Sequence, residues 1–427
     1  MQKVAHNLNL FENHPQWPHV LEVCKMISQQ NFETYLAGGC VRDLVMQNPP
    51  KDFDIATNAT PDQLAEIFPK ALNVGREFGV IILAFENFQI EIATFRSDGD
   101  YQDGRRPNAV HFTTAEQDAL RRDFTVNALF LDLKTLEIID YVGGLKDIEN
   151  KILKAVGDPL KRFGEDKLRM MRALRFSAQL NFAIEPLTYA AIKNLHRDIR
   201  MVSPERIRDE LLKLFQSKAI SVGLTGLYDT GLLFCLHPQF AEFLQDENLQ
   251  KLLLIYSQDL KQLQLQTKLC VFFAPRVAKN QREEFEKLKL LLRDLRFSAL
   301  EAKQILWVLK QYCELHDFNT LRLADQIRVV AAADFSVLRE FVMLYDPAIF
   351  QKLDSLFENL SLKYLVQGAL APAFLSGEDL KALGIKPGRI MGEILRETYD
   401  QQLEKKLNTR EQALGFARDL VLSKTEF

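Results

Sequence analysis

The chain has 427 residues, 47% hydrophobic and 26% charged, with a formal net charge of −3. That balance excludes a disordered or fibrous chain, and the length allows for two to four domains with real cores. No apolar run approaches the ~20 residues of a membrane-spanning helix, and the opening stretch has no apolar signal core, so a cytoplasmic protein that does not enter membranes is expected.

The five cysteines, Cys24, Cys40, Cys235, Cys270 and Cys313, are scattered and form no Cys-x-x-Cys pair. A disulfide framework or a zinc site is therefore not expected, and a reducing compartment fits. A slightly acidic total argues against an all-round basic surface for nucleic acid, so any such surface must be a local patch.

In chain order, β-rich runs separated by turn residues predict strands at 35–37, 52–56, 80–85, 89–95, 128–133 and 137–141. Between the second and third, Thr60 followed by Pro61 marks a helix start, a cap residue with proline at the first helical position. After about residue 145 the pattern turns helical almost to the end. Leucine and phenylalanine recur at helical spacing, as in Leu211, Leu212, Leu214 and Phe215 and again in Leu288, Leu291, Leu292 and Leu295. The expectation is an α+β protein: a small mixed-sheet head followed by an all-helical remainder.

The sharpest local feature is Gly38-Gly39-Cys40-Val41-Arg42-Asp43, followed by Lys51-Asp52-Phe53-Asp54. On a strand, residues i and i+2 face the same side, so Asp52 and Asp54 are expected to point together, and like charges that close call for a cation. Oxygen-only ligation suits Mg²⁺, and two such ions clamping an attacking and a leaving oxygen are a standard route to phosphoryl transfer. Glu91, on the 89–95 strand, can supply a third carboxylate. An isolated Asp-x-Asp more often marks a solvated sheet face. The Gly38-Gly39 turn upstream changes that balance, because bare backbone can approach a triphosphate closely and Arg42 can add a bidentate phosphate contact.

These residues resemble motif A of the class II tRNA nucleotidyltransferases and bacterial poly(A) polymerases, members of the DNA polymerase beta-like nucleotidyltransferase superfamily. The family's further motifs follow in order: 121–128 (Arg-Arg-Asp-Phe-Thr-Val-Asn-Ala) resembles motif B, 143–148 the hinge motif C, 165–169 (Glu-Asp-Lys-Leu-Arg) the nucleotide-templating motif D, and 203–207 motif E. The resemblance implies a catalytic head at 1–148, a neck carrying the templating helix at 149–215, a helical body at 216–340 and a helical tail at 341–427. It implies Asp52, Asp54 and Glu91 as catalytic, with two Mg²⁺ ions on Asp52 and Asp54. It places Arg122 and Asp123 on the ribose or phosphates, while Asn127 is expected to hold the turn between motif B and the following strand.

Asp166, Arg169, Arg172 and Arg175 recur every three residues and are expected on one broad helix face. Cytosine and adenine each present an exocyclic amino donor beside a ring-nitrogen acceptor, whereas uracil and guanine present the reverse. An Asp acceptor beside an Arg donor therefore matches C and A, and a mismatched base leaves buried polar groups unpaired at ~1–3 kcal/mol each. In the family, the residues matching Asp166 and Arg169 read the base, and those matching Arg172 and Arg175 contact the nucleotide or hold the site. Met170, Met171, Leu174 and Phe176 read as core contacts.

Residues 161–175 hold six Lys/Arg against two Asp/Glu, and 193–208 hold five against two, a basic neck inside an acidic protein and a track for RNA phosphates. The 375–414 stretch, with its Gly384-Ile385-Lys386-Pro387-Gly388 turn, resembles the tail of bacterial CCA-adding members, which holds the tRNA elbow; Arg389 stands where a proline is common. The expected partners are thus tRNA, ATP and CTP. The full-length 96–112 loop, with Asp103-Gly104-Arg105-Arg106, disfavours CC-only addition. Gly75-Arg76-Glu77 and the weakly basic C-terminus disfavour a poly(A) polymerase. A-only addition and a silent RNA-binding relative remain as alternatives.

Overall fold

The computed structural model describes residues 8–72, 79–99, 110–277 and 282–425. The chain forms two compact units, Met1–Lys261 and Gln262–Phe427.

In the first unit, β1 (Thr34–Ala37), β2 (Asp54–Thr57), β3 (Val80–Ala84), β4 (Gln89–Thr94), β7 (Leu129–Asp132) and β8 (Glu137–Asp140) form one sheet in the order β3-β4-β2-β1-β7-β8. Between β4 and β7 the chain makes β5 (Arg96–Asp98) and β6 (Val110–Phe112), and later β9 (Ile152–Leu153) and β10 (Ala183–Ile184). Only β2 and β4 run parallel within the large sheet; its other neighbours are antiparallel, so the sheet is mixed as expected. Five of the six expected strands agree within one residue at either end. The exception is the second, which begins at Asp54 rather than Asp52. Ala37↔Asp54 is the last pair with β1, because Gly38 turns the chain away at φ +76° and leaves Asp52 no ladder partner. The alternation survives nonetheless: Phe53 is buried against Phe11 and Trp17, while Asp52 and Asp54 face the other way and stay open.

The 96–112 segment, expected as a loop, is bounded by the antiparallel strands β5 and β6, with Arg96 opposite Phe112; residues 103–106 lie outside the described residues, as does the 75–77 segment. The helix Ala115–Arg121, capped by Thr114, is seated on the sheet through small residues. Ala115 and Ala119 pack into a cluster with Ala37, Ala56, Ala128, Phe95 and Phe130, so helix and sheet approach closely.

β8 ends in a built turn. The Asp140 carboxylate accepts N–H bonds from Val142, Gly143, Gly144 and Leu145 at 2.9–3.1 Å, capping the helix Gly144–Glu149. Gly143 needs its left-handed φ of +85°, and a Cβ on Gly144 would fall 2.2 Å from the Thr125 carbonyl oxygen. Beyond this turn the unit is helical, apart from the short parallel pair β9–β10, which the sequence did not lead us to expect. Proline opens three of the helices, Pro159–Glu165, Pro186–Leu195 and Pro204–Phe215. The helix Arg169–Leu180 is central. It buries Met170, Met171, Ala173, Leu174 and Ala178, and ends at Asn181 in the left-handed conformation. The helix Ile220–Asp229 crosses it closely at Gly226, where a Cβ would lie 2.6 Å from Leu174.

The second unit is helical. Arg322 joins one of its segments to the helix Arg389–Leu403, with guanidinium contacts of 2.7–3.1 Å to Glu397, Asp400 and Glu404. A small core of Leu375, Leu380, Met391, Ile394, Ala413 and Ala417 holds the helices Gly377–Ala382, Arg389–Leu403 and Arg410–Thr425 together. Among the described residues, no helix is long and apolar enough to cross a membrane.

Because the obstacle at Gly144 is backbone, Gly144→Ala is expected to destabilise the first unit by about 2 kcal/mol or more. Urea denaturation measures this, and an unchanged midpoint would contradict the packing described.

Candidate active site

β2 and β4 carry the acidic centre. Their parallel register sets Asp54 directly beside Glu91, and Asp52 precedes Asp54 by two residues. These three carboxylates make no hydrogen bond or ion pair with the described residues. Asp54 is pushed up to about 6, first by desolvation at the floor of the cleft and then by the charges of Asp52 and Glu91, with Arg122 opposing. A carboxylate left this crowded favours a cation. The donors are all oxygen, and among the described residues no three acidic, His or Cys groups close around one point. That fits a hard divalent ion which draws its remaining ligands from water and substrate phosphate.

The three carboxylates line one side of a cavity of about 880 Å³, within the ~300–1,000 Å³ range of small-ligand sites. Gly38, Gly39, Arg42, Arg122, Asp123, Asp166, Arg169, Arg172 and Arg175 also line it. Every site residue read from the sequence therefore faces one space. Gly38 is bare backbone there: a Cβ would lie 3.0 Å from the Arg122 guanidinium and 3.8 Å from the Asp54 carboxylate.

Each cleft arginine is held by a carboxylate. Arg42 is buried, donating to Asp43 through Nε and Nη2 at 3.0 and 2.7 Å and to the Asn127 side-chain oxygen at 2.6 Å. Asn127, on the single helical turn Thr125–Asn127 within motif B, donates onward to Asp123 at 3.4 Å. Asp123 accepts the Phe124 N–H at 2.8 Å and two bonds from Arg172 at 2.9 and 2.5 Å. Burial opposes its ionisation, but Arg172 outweighs burial and holds the carboxyl at about 2. Arg175 in turn donates to the buried Glu210 at 2.5 Å.

Asp166 and Arg169, expected together on one helix face, depart from that placement. Asp166 is not on the helix with the three arginines; it sits in the junction between Pro159–Glu165 and Arg169–Leu180, with extended backbone. Its carboxylate caps the Leu168 N–H at 3.0 Å, a local bond that competes with helix formation. Both its oxygens accept from Arg206, at 3.2 and 2.8 Å. Arg169 is fixed separately, by Glu165 at 2.6 Å. The two side chains thus reach the cavity from different backbone settings, each oriented by its own partner.

Several residues went unread in the sequence. Asp118 is almost fully buried, binds Arg121 and Arg122 together, and accepts the Arg96 N–H at 3.3 Å. Burial alone would raise its pKa; the two arginines hold it below the usual carboxylate range. Arg162 donates to the carbonyls of Leu120 and Arg121, capping the C-terminal end of Ala115–Arg121. Glu165, Arg206 and Glu210 lie inside or beside motifs D and E; charge pairing at helical spacing was a signal only for Glu165 with Arg169, since Arg206 and Glu210 pair with Asp166 and Arg175, 40 and 35 positions away. Phe176, read as a core contact, is buried but lies on the cavity wall.

The Asp54 shift has a testable sign. Its folded pKa lies above the ordinary 3.8, so its contribution to stability is present at low pH and lost as pH rises through about 6. In metal-free buffer, wild type should lose melting temperature relative to Asp54→Asn across that window. Calorimetry at a series of pH values checks this; a constant difference would contradict the crowding.

Comparison with known proteins places this geometry. Residues 34–154 match the family model described as Poly A polymerase head domain, and residues 181–244 match the one described as Probable RNA and SrmB- binding site of polymerase A. A CCA-adding enzyme of Enterococcus faecalis is 34% identical over 409 residues, spanning 93% of this chain and 94% of that protein. A CCA-adding enzyme of Streptococcus suis is 31% identical over 407 residues, spanning 93% and 95%. The fold is similar to that of the Bacillus stearothermophilus CCA-adding enzyme in complex with CTP, with a TM-score of 0.80 at 23% identity, covering 97% of this chain and 99% of that one. It is also similar to the Thermotoga maritima CCA-adding enzyme complexed with tRNA, with a TM-score of 0.62 at 19% identity over 99% and 100% of the two chains. With more than 30% identity running nearly end to end, this chain belongs to the family of CCA-adding enzymes.

Proposed function

We propose that this protein adds CMP, CMP and AMP to the 3′ end of tRNA, taking them from CTP and ATP without a nucleic-acid template and releasing pyrophosphate. The observation that carries the reading is the single cavity that joins the carboxylates of Asp52, Asp54 and Glu91, unbonded by any described residue, to the Asp166 and Arg169 side chains of the neck. Chemistry and base choice then share one space.

Asp52 and Asp54, with Glu91 beside them, would hold two Mg²⁺ ions, whose chemistry is to lower the pKa of the attacking 3′-hydroxyl and neutralise the departing pyrophosphate. The Gly38-Gly39 backbone and Arg42 receive the triphosphate, since bare amides and a braced guanidinium suit phosphate oxygens. Arg122 and Asp123 take the ribose and phosphate edge. Asp166 accepts from the exocyclic amino group that C and A share, and Arg169 donates to the adjacent ring nitrogen; Arg206 and Glu165 hold the two in place for this. Arg172 and Arg175 complete the nucleotide site. The head at 1–148, neck at 149–215, body at 216–340 and tail at 341–427 divide catalysis from tRNA holding, with the basic 193–208 segment and the 375–414 tail on the RNA. A cytoplasmic setting, where tRNA and both nucleotides meet, goes with this reading.

The test uses purified protein, Mg²⁺ and three tRNAs ending before CCA, after C and after CC, with CTP and ATP supplied separately and together. Completion of all three to CCA, followed by a stop, is expected. One A added only to the CC-ended tRNA would replace the reading with A-addition, and a long A ladder with poly(A) synthesis. Asp52→Ala should lower addition by about a thousandfold or more while leaving tRNA affinity within about threefold. Addition at the wild-type rate in that variant would remove Asp52 from the metal site.

A further inference from the structure

Three guanidinium groups converge on one aromatic ring at the cleft wall. The Arg175 Cζ lies 3.7 Å from the centroid of the Phe176 ring, that of Arg172 5.3 Å, and that of Arg42 5.7 Å. Arg42 comes from the helix Gly39–Val45, which follows β1; Arg172 and Arg175 share the helix Arg169–Leu180 with Phe176 itself. Three like charges this close repel one another. Asp43 and Asp123 hold Arg42 and Arg172 from separate segments, and Glu210 pairs with Arg175 at 2.5 Å and with Arg172 at 3.8 Å, so a carboxylate links the two helix arginines but none of the three pairs with all of them. The ring is what all three share. Its face carries negative charge density, so each guanidinium within about 6 Å is attracted to it. The ring is itself held: it is 8% exposed and meets Phe124 edge-on, with centroids 5.7 Å apart.

We propose that Phe176 is a positioning residue for nucleotide binding, its ring gathering Arg42, Arg172 and Arg175 into one anion-receiving wall where sheet and templating helix meet. The proposal rests on the nucleotide-binding reading above. It assigns the ring no contact with substrate. It differs from a core role in one respect: an aliphatic side chain of similar size fills the same space without attracting cations, while a second aromatic ring preserves both.

Four variants separate the two roles: Phe176→Leu, Phe176→Met, Phe176→Tyr and Phe176→Trp. Each is measured for KM and kcat with CTP on tRNA ending before CCA, for CTP affinity by calorimetry, and for melting temperature. Phe176→Leu and Phe176→Met are expected to raise KM and the dissociation constant for CTP about fivefold or more, with kcat within about twofold, the pattern of lost ground-state binding. Phe176→Tyr is expected to keep both constants within about twofold of wild type. Unchanged CTP affinity in the Leu and Met variants would overturn the proposal. Equal weakening in the Leu, Met, Tyr and Trp variants would overturn it too, since packing alone would then explain Phe176. If Phe176→Leu does not fold, the Met and Tyr variants decide by the same criteria. Failure of the unaltered protein to bind CTP would overturn the nucleotide reading along with this proposal, whereas normal wild-type binding confines a failure to Phe176.

Discussion

The parallel pairing of β2 with β4 is the constraint on which the site depends. Parallel strands in register put Asp54 and Glu91 side by side, and the reversal at Gly38 leaves Asp52 free to face the same way. No described residue bonds to these three carboxylates, and burial in the cleft, together with the charges of Asp52 and Glu91, pushes Asp54 up to about 6 against the pull of Arg122. Such an arrangement is unfavourable by itself. It persists because the strands carrying it are anchored beneath the cleft, through Phe53 against Phe11 and Trp17 and through Ala37 and Ala56 under the helix Ala115–Arg121. Packing on the apolar side sustains electrostatic strain on the polar side.

The cationic lining of the cavity is handled differently. Arg42, Arg122, Arg169, Arg172 and Arg175 each have a carboxylate within 3.1 Å, and Asp166 has Arg206. Partly buried pairs of this kind add little net stability, because desolvation cancels most of the attraction, yet removing one partner strands the other. Their value is orientation. A guanidinium already fixed by two hydrogen bonds loses less freedom when it meets a phosphate or a base. Asp123 shows the arrangement at its tightest: one oxygen braces the Phe124 amide and Asn127, and the other holds Arg172. Through Asn127 the chain of contacts continues to Arg42, and through Arg172 it reaches Glu210, so the sheet side and the helix side of the cleft are bonded into one array.

By itself the sequence determined the class of the protein. Alternation of apolar residues located the strands of the head, helical periodicity located the change near residue 145, and Gly-Gly with Asp-x-Asp named the acidic centre. These signals are local, because strand and helix periods and the glycine requirement act over a few residues. For the same reason Asp166 was misplaced: spacing of three implied one helix face, whereas it lies in the junction before the helix, its carboxylate capping the Leu168 amide and drawn to Arg206 forty residues away.

What only the tertiary structure decided is which charges meet. Arg206 with Asp166, Glu210 with Arg175, Arg162 with the carbonyls of Leu120 and Arg121, and Phe176 with Arg42 join residues from 35 to about 130 positions apart. Opposite charges and aromatic faces are common in any sequence, and nothing in their spacing says which will be neighbours. That depends on how closely the helices seat on the sheet and on one another, which the alanines beneath Ala115–Arg121 and the bare Gly144 and Gly226 set through steric contact.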